Sequence, residues 1–307
     1  MSFAKRMSNI QASATVAAFA RAGELKRQGV DLISLVAGEP DFDTPEHIQD
    51  AGIEAIRTGK TKYTNPASGI PELKDAICNK FQQDNNLSYA PQQIIVTCGA
   101  KQTIFDAIVV LIDEGDEVVI PAPYWTSYAD QVRLMGGTPV IVPTAPDRNF
   151  CMTARQLQDA ISSRTKMVML NSPCNPTGGV YSHSDLQAIA DVIAWAGIYV
   201  ITDEIYEKLL YDGAQHISIA SLIPELMNKT LTVNGVSKAY AMTGWRVGYG
   251  AGPQDLIANM IKVQSQETTN TCSISQYAAL EALNGPQGCV ETMRQAFEKR
   301  RNQIVEG

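Results

Sequence analysis

The sequence has few histidines, no closely spaced cysteines and no excess of positive charge. Its three histidines and six cysteines are scattered over 307 residues without Cys-x-x-Cys spacing, so we expect no metal centre. Lysine and arginine total 25 against 32 aspartates and glutamates, a net charge of −7, and no basic cluster occurs. This balance argues against a nucleic-acid-binding protein, because phosphate backbones are bound by clustered lysine and arginine.

Long apolar runs are absent as well. No stretch approaches the roughly 20 apolar residues that a membrane-spanning helix needs, and no apolar signal core follows residues 1–6. Scattered cysteines in a chain of this length are typical of a reduced protein. These features predict a cytoplasmic protein with no membrane contact.

Apolar segments of strand type alternate with helical segments along most of the chain. Strands are predicted at 31–35, 93–97, 117–120, 139–142, 166–170, 198–202 and 230–233. Helices are predicted at 14–29, 46–57, from 71 onward, and at 101–112, 127–135, 184–195 and 289–307. The alternation indicates an α/β fold with a mainly parallel central sheet sandwiched by helices.

The segment around Lys238 combines one lysine with Arg246 eight residues later, after the predicted strand 230–233. A lysine amine condenses with an aldehyde, and an arginine binds a phosphate dianion through paired hydrogen bonds. Pyridoxal phosphate carries both groups and requires an acid facing its pyridine nitrogen. Asp203, directly after the strand 198–202, supplies that acid. The acid, the lysine and the arginine are each interpreted as following an apolar strand.

Each residue also has a simpler interpretation when it is taken singly. Lys238 fits a solvated loop charge, and Asp203 fits a cap of the following helix. Gly99-Ala100-Lys101 places free amides at a helix start, which binds phosphate, but a tight turn explains the same small residues. Ser237 and Arg246 offer further phosphate donors and favour the cofactor interpretation.

Three more polar or aromatic positions fit contacts to a planar ring. Trp125, with Tyr124 as the alternative, follows a strand end and is able to stack. Asn175 lies between two prolines as a fixed amide donor, and Tyr206 lies one helical turn beyond Asp203. Core packing and backbone-driven Asn-Pro turns are the plainer alternatives.

In their order along the chain, these motifs resemble those of the fold-type I pyridoxal-phosphate aminotransferases. Within that family the resemblance is strongest to the bacterial aspartate aminotransferases of the class I gamma type. The matching motifs are AGEPDF (37–42), GKTKY (59–63), GAKQ (99–102), NSPCNPTG (171–178), TDEIY (202–206), SK (237–238) and GWR (244–246). The resemblance implies a fold-type I transferase with pyridoxal 5′-phosphate as its cofactor.

The resemblance also implies residue roles. Lys238 would form the Schiff base with the cofactor and later move the substrate proton, while Asp203 would keep the pyridine nitrogen protonated. Asn175 and Tyr206 would hydrogen-bond the phenolic oxygen, and Trp125 would stack on the ring. The phosphate ligands would be Gly99, Ala100, Lys101 through its backbone, Ser237 and Arg246.

Substrate and partner contacts are implied in the same way. Tyr63 resembles the tyrosine that reaches the phosphate of a neighbouring subunit, which predicts a homodimer. Gly38 would line the α-carboxylate side of the substrate, where Trp125 and Asn175 also lie. Ser13 and Thr15 resemble the segment that approaches the distal carboxylate. The implied reaction is aspartate plus 2-oxoglutarate to oxaloacetate plus glutamate.

The resemblance divides the chain into three parts. Residues 1–44 would form an N-terminal arm with part of a small domain, 45–284 the large cofactor-binding domain, and 285–307 the start of a C-terminal small domain. The family normally continues further and supplies an arginine for the substrate α-carboxylate. The small domain is therefore expected to be incomplete, with a catalytically impaired cofactor-binding fragment as one alternative.

Other functions on the same motifs stay open. They include an aminotransferase for alanine, aromatic or prephenate substrates and a β-eliminating lyase that uses the same cofactor. A non-catalytic cofactor-binding module fused to a DNA-binding domain is disfavoured, because no helix-turn-helix or basic segment occurs. A nicotinamide-dependent dehydrogenase is disfavoured because no Gly-x-Gly-x-x-Gly follows the first strand.

Overall fold

The computed structural model describes residues 3–10, 12, 14–35 and 38–307, with the backbone alone at Ala14 and Thr15. Within these residues the helices are α1 (Ala14–Arg27), α2 (Glu46–Arg57), α3 (Pro71–Asn85), α4 (Ala100–Leu111), α5 (Ser127–Leu134), α6 (Ala154–Ala160), α7 (His183–Ala196), α8 (Gln254–Glu267), α9 (Ser273–Asn284) and α10 (Gly288–Glu306). The strands are β1 (Ile94–Thr97), β2 (Glu117–Ala122), β3 (Thr138–Pro143), β4 (Thr165–Asn171), β5 (Tyr199–Asp203), β6 (Thr230–Gly235) and β7 (Gly248–Ala251).

All seven strands join one sheet in the order β1-β7-β6-β5-β4-β2-β3. The pairs from β6 across to β3 are parallel, whereas β7 is antiparallel to both β1 and β6. Because β7 is antiparallel to both of its neighbours, β1 and β6 run in the same direction. The carboxyl ends of β1, β4, β5 and β6 therefore lie at one end of the sheet, where ligands bind in open α/β sheets.

Both faces of the sheet are buried. Along β4, Met167 and Met169 pack into an apolar cluster with α4, α5 and α8, whereas Val168 and Leu170 pack into another with α6 and α7. A third cluster joins α3 and α9 to β1 and β7. Successive side chains of a strand face opposite sides, so a strand that is apolar on both sides needs helices on both. The predicted helix-covered, mainly parallel sheet is confirmed.

Most predicted elements agree with the structure to within one or two residues. The predicted helix 46–57 coincides with α2, and the helix predicted at 184–195 ends at Ala196, where Gly197 caps it with a φ of 64°. The predicted helix 14–29 ends earlier, at Arg27. The periodicity of apolar residues was therefore sufficient to predict the helices and strands whose buried side chains recur at regular spacing.

Two interpretations that involved strands were wrong. The strand predicted at 31–35 is not formed, and Ile33 and Leu35 are 89% and 92% exposed. Within the part of the chain that the structure describes, residues 31–35 pair with no strand of the sheet, so their apolar alternation does not lead to a strand. Arg246 does not follow a strand either: it follows the 3₁₀ turn Thr243–Trp245 and precedes β7. The glycine-rich β7 carried little strand signal.

None of the described helices is both long and apolar enough to cross a membrane.

Candidate active site

Four of the predicted residues line one cavity at the carboxyl end of the sheet. The cavity has a volume of about 970 Å³, and Gly38, Asn175, Tyr206 and Lys238 all lie on its wall. Lys238 follows β6, Tyr206 follows β5, and Asn175 belongs to the loop after β4. The parallel strands thus bring together residues that are far apart in the sequence.

The Lys238 amine contacts two other residues that line this cavity. Its Nζ donates a hydrogen bond to the carbonyl oxygen of Gly38 at 2.5 Å and lies 5.7 Å from the ring centre of Tyr206. Burial lowers the pKa of the Lys238 amine, an effect that Glu39 opposes and Arg246 reinforces. A lowered pKa increases the unprotonated, nucleophilic fraction at neutral pH.

Asp203 is the last residue of β5 and is 4% exposed. Its Oδ2 accepts a hydrogen bond from Tyr128 Oη at 2.7 Å, and its Oδ1 accepts one from the backbone N–H of Ile205 at 3.2 Å. Burial raises the pKa of Asp203 to about 6, although both hydrogen bonds and nearby Lys238 oppose the shift. The carboxylate is desolvated and retains accepting capacity, which suits a cationic ring N–H.

Asn175 and Tyr206 contact each other. The Asn175 amide donates to Tyr206 Oη at 3.5 Å, and the backbone N–H of Asn175 donates to Asn171 Oδ1 at 2.7 Å, which anchors the loop. Burial, followed by the charge of Asp203, raises the pKa of Tyr206 to about 12. Tyr206 lies in a turn rather than a helix, since β5 ends at Asp203 and turn geometry follows.

The predicted phosphate residues surround the start of α4. Gly99, with a φ of 85°, is the residue before the helix, and a Cβ at Gly99 would collide with the Arg246 guanidinium. Arg246 donates to the carbonyl oxygens of Thr243 at 2.8 Å and Cys98 at 3.2 Å. Ser237 is buried and lies two residues beyond β6. A guanidinium packed against a helix N-terminus is a site for an anion.

Trp125 and Lys101 lie beside this anion site. The Lys101 ammonium is 4.8 Å from the Trp125 ring centre, and that ring meets Tyr128 edge-on at 5.4 Å. Lys101 and Arg246 line a second cavity of about 490 Å³. Burial, reinforced by Arg246, lowers the pKa of Lys101.

Three further predicted residues are not assigned to the site by the structure, two of them because they are not fully described. Tyr63 is 85% exposed and lines neither cavity. Ser13 lies outside the described residues, and Thr15 lies in α1 with its side chain outside them. The structure leaves the predicted roles of these three residues as predictions.

Sequence reasoning missed two features next to Asp203. One is Tyr128, whose position on α5 does not distinguish it from an ordinary core residue. The other is a cluster of buried polar side chains, which we call the polar network. It consists of Lys80, Asn85, Glu204, Glu207, His216 and Ser218. Its members come from α3 and from the loop after β5, so no local spacing signals it. His216, Glu204 and Glu207 approach one another closely, and the Lys80 ammonium is ion-paired with Glu207.

Comparison with known proteins identifies relatives along the whole chain. The family model "Aminotransferase class I and II" matches residues 30–307. The aspartate aminotransferase of Geobacillus stearothermophilus is 52% identical, covering 100% of this chain and 78% of that protein. An aspartate/prephenate aminotransferase of Cereibacter sphaeroides is 49% identical, covering 97% and 75%. The crystal structure of the aspartate aminotransferase from Rhizobium meliloti has a TM-score of 0.96 at 48% identity, covering 100% and 76%.

Proposed function

The chain belongs to the class I and II aminotransferases, and on that premise we propose that it transfers an amino group between aspartate and 2-oxoglutarate with pyridoxal phosphate as its cofactor. Amino-group exchange between an amino acid and a 2-oxo acid is the activity of the family. The cofactor, the aspartate preference and the individual residue roles are our proposals.

One observation carries the proposal. Lys238, Asp203 and the Asn175–Tyr206 pair meet at one end of the sheet, and Arg246 with the α4 N-terminus lies beside them. These groups match the aldehyde, the ring nitrogen, the phenolic oxygen and the phosphate of pyridoxal phosphate. The close packing of Gly248 supports the proposed phosphate site. A Cβ at Gly248 would collide with the backbone of Gly99 and Ala100, whose amides belong to that site.

Each residue has a task that its surroundings support. When bound, the cofactor supplies an aldehyde for the amino group and a ring that withdraws electrons from the substrate Cα. Lys238 provides an amine whose lowered pKa lets it act as nucleophile and then accept and return the Cα proton. Asp203 holds a proton on the ring nitrogen by offering a buried negative charge.

The remaining ligands orient the ring. Arg246 and the amides of Gly99 and Ala100 would bind the phosphate dianion, with Ser237 as a further donor. Asn175 and Tyr206, which already contact each other, would hydrogen-bond the phenolic oxygen. Trp125 would stack on the ring, and Gly38 would line the side on which the substrate α-carboxylate binds.

The substrate proposal rests on the relatives. Proteins named for aspartate are about half identical to this chain over nearly its full length. Ser13 and Thr15 are our proposed contacts to the distal carboxylate. An aspartate/prephenate relative at 49% identity makes prephenate the second acceptor to test.

A coupled assay tests the proposal. Purified protein loaded with pyridoxal phosphate should convert aspartate and 2-oxoglutarate to oxaloacetate and glutamate, and Lys238→Ala should abolish both this reaction and covalent cofactor absorbance. Alanine, glutamate, phenylalanine and prephenate are assayed in parallel. Release of pyruvate and ammonia would instead show a β-eliminating lyase, and covalent absorbance that survives in Lys238→Ala would contradict the assigned site.

We also propose that a second copy of the chain completes the site. Tyr63 is exposed on the loop after α2, and the same helix exposes Ile53 and Ile56, which supports a contact surface there. In this dimer Tyr63 would contact the partner's phosphate. Tyr63→Ala and Lys238→Ala should each be inactive alone, yet regain activity when mixed after unfolding and refolding, because hybrid dimers have one intact site. A fully active monomer in sedimentation would contradict the dimer.

The division of the chain stays a proposal as well. We retain 45–284 as the large cofactor-binding domain, flanked by 1–44 and 285–307. Limited proteolysis with and without the cofactor tests it, since protection should be greatest within 45–284.

A further inference from the structure

Tyr128 forms a short hydrogen bond with the buried carboxylate of Asp203. Its hydroxyl donates to Asp203 Oδ2 at 2.7 Å, and the tyrosine itself is 3% exposed. The second contact, from the Ile205 N–H, is longer at 3.2 Å and reaches the other oxygen. The two donors fix the plane of the carboxylate because each oxygen is held from a different side.

We propose that Tyr128 is a positioning residue, which holds Asp203 in one orientation and in its ionised form for the ring nitrogen of the cofactor. The inference rests on the proposed function, since it concerns how the cofactor is bound. A hydrogen bond donated to a charged oxygen stabilises the charge more than the neutral acid. Without that bond, burial would favour the protonated acid, which is unable to hold a proton on the ring.

Tyr128 is itself held by its surroundings. Its ring packs edge-on against Trp125 at 5.4 Å with an interplanar angle of 89°, and it belongs to the apolar cluster between the sheet and α4, α5 and α8. Trp125 in turn carries the Lys101 ammonium on its face at 4.8 Å. A continuous line of contacts thus runs from the anion site through Trp125 and Tyr128 to Asp203, so the two ends of the cofactor would be bound at a fixed spacing.

The charge environment leaves Tyr128 as the neutral donor. Burial first, and the charge of Asp203 second, raise the pKa of the Tyr128 hydroxyl far above its ordinary value. The hydroxyl therefore keeps its proton at neutral pH. The titratable groups that face Asp203 and Tyr128 from the surrounding elements are Glu204, Cys174, Tyr206 and Lys238.

The test measures binding of 4′-deoxypyridoxine 5′-phosphate to the cofactor-free protein by calorimetry between pH 6 and 9. This analogue has the ring nitrogen and the phosphate but lacks the aldehyde, so it reports neither covalent capture nor turnover. Tyr128→Phe should weaken binding about tenfold near pH 7, the effect of one hydrogen bond to a charged group. The loss should be larger at pH 6 than at pH 9, because Asp203 would take up a proton at higher pH in the variant.

Two comparisons separate positioning from packing. Tyr89→Phe removes a buried hydroxyl, 3.3 Å from Thr232 Oγ1, in a different apolar cluster and should bind like wild type. In an Asp203→Asn background, Tyr128→Phe should add almost nothing, because it acts through the carboxylate. Circular dichroism establishes that each variant is folded.

Three outcomes overturn the inference. Tyr128→Phe that binds the analogue like wild type at every pH shows that the hydroxyl does not support Asp203. A loss of equal size with or without Asp203, or one independent of pH, shows a packing role instead. A wild type that binds no analogue overturns the proposed cofactor site and this inference with it, whereas the first two outcomes leave the proposed function standing.

Discussion

Asp203 and Glu204 are consecutive residues with buried carboxylates, yet their surroundings are opposite in kind. Asp203 accepts one side-chain hydrogen bond, from Tyr128, and one from the backbone of Ile205. Glu204 contacts four side chains in the described part of the chain, at 2.5 to 3.2 Å. They are Asn85, Thr202, His216 and Ser218.

The difference separates a carboxylate that binds a ligand from one that holds the fold. A carboxylate offers about four accepting positions, so Asp203 keeps capacity for a further donor while Glu204 has little left. Glu204 and Glu207 join the end of β5 to α3 through Lys80 and Asn85. The polar network therefore fixes the backbone on which Asp203 stands. Variants on the two sides should consequently lose different properties, stability on one and catalysis on the other.

The largest effect is expected in the polar network. Lys80 is 8% and Glu207 4% exposed in their side chains, and removal of the ammonium in Lys80→Met leaves the buried Glu207 carboxylate without its closest cation. Burial would raise the pKa of Glu207, but Lys80 and then His216 hold it below its ordinary value. We expect a loss of about 3–5 kcal/mol in the free energy of unfolding, measured in urea.

A surface pair provides the control for that loss. Arg155 and Asp159 are 77% and 57% exposed, and Arg155→Met should cost no more than about 0.5 kcal/mol. Lys80→Met should keep nearly normal activity per folded molecule. Equal losses of unfolding free energy in Lys80→Met and Arg155→Met would show that the buried ion pair stabilises the fold no more than a surface ion pair.

Asp203→Asn should lose catalysis instead. An amide has nearly the same shape but no charge for the ring nitrogen, so kcat/KM should fall by about 10²- to 10³-fold. The folded-state pKa of about 6 lies above the ordinary 3.8, so in the wild type this group contributes stability at low pH that is lost as the pH rises toward 6. Without cofactor, Asp203→Asn should not lose this stability as the pH rises, and at pH 8 it should be at least as stable as the wild type.

Steady-state rates and urea unfolding of the same preparations test both halves of this prediction. A variant that keeps its activity would show that Asp203 is not the ring-nitrogen partner. A variant destabilised as much as Lys80→Met would show that Asp203 belongs to the structural group.

The same contrast explains what the sequence was able to predict. Lys238, Asp203 and Asn175 could be proposed from the sequence because each lies at or soon after a strand, where parallel topology gathers functional side chains. Strands β4 and β5 were found because they are apolar on both faces. Tyr128 was missed because its hydroxyl reaches a partner 75 residues away, while its position on α5 is that of an ordinary core residue.

The network was missed for a related reason. Asn85 and Glu204 are 119 residues apart, and a lone histidine such as His216 has no recognisable spacing. Residues 31–35 were misassigned because strand propensity does not show whether a pairing partner exists. Long-range polar contacts and strand pairing depend on the assembled fold, so local patterns do not contain them.

A smaller, pH-dependent effect is expected at His216. Burial would lower the pKa of His216, but the Glu204 carboxylate raises it above the ordinary 6.5. Its stabilising contribution is therefore complete below pH 6.5 and is lost as the pH rises through the folded-state pKa. The stability difference between wild type and His216→Gln should shrink toward pH 9, by about 1.4 kcal/mol per unit of pKa difference.

His183→Gln, at the exposed start of α7, is the matched histidine control. Urea unfolding of wild type and both variants at several pH values between 6 and 9 checks the prediction. The same pH dependence in the two variants would show that the effect does not come from the polar network.

The smallest effect is expected at Ser218, one of several hydrogen-bond donors to the Glu204 carboxylate. Ser218 donates to Glu204 at 2.5 Å and accepts from Asn85 at 2.8 Å, so Ser218→Ala removes one partner from each. Because other donors to Glu204 remain, the free energy of unfolding should fall by only about 1 kcal/mol, as for one ordinary hydrogen bond. Ser221→Ala, which loses a 2.8 Å bond to the backbone carbonyl of Ser218 rather than to a carboxylate, should cost about the same. A much larger loss at Ser218 would mean that Glu204 depends on single donors as Asp203 does, and the contrast between the two carboxylates would disappear.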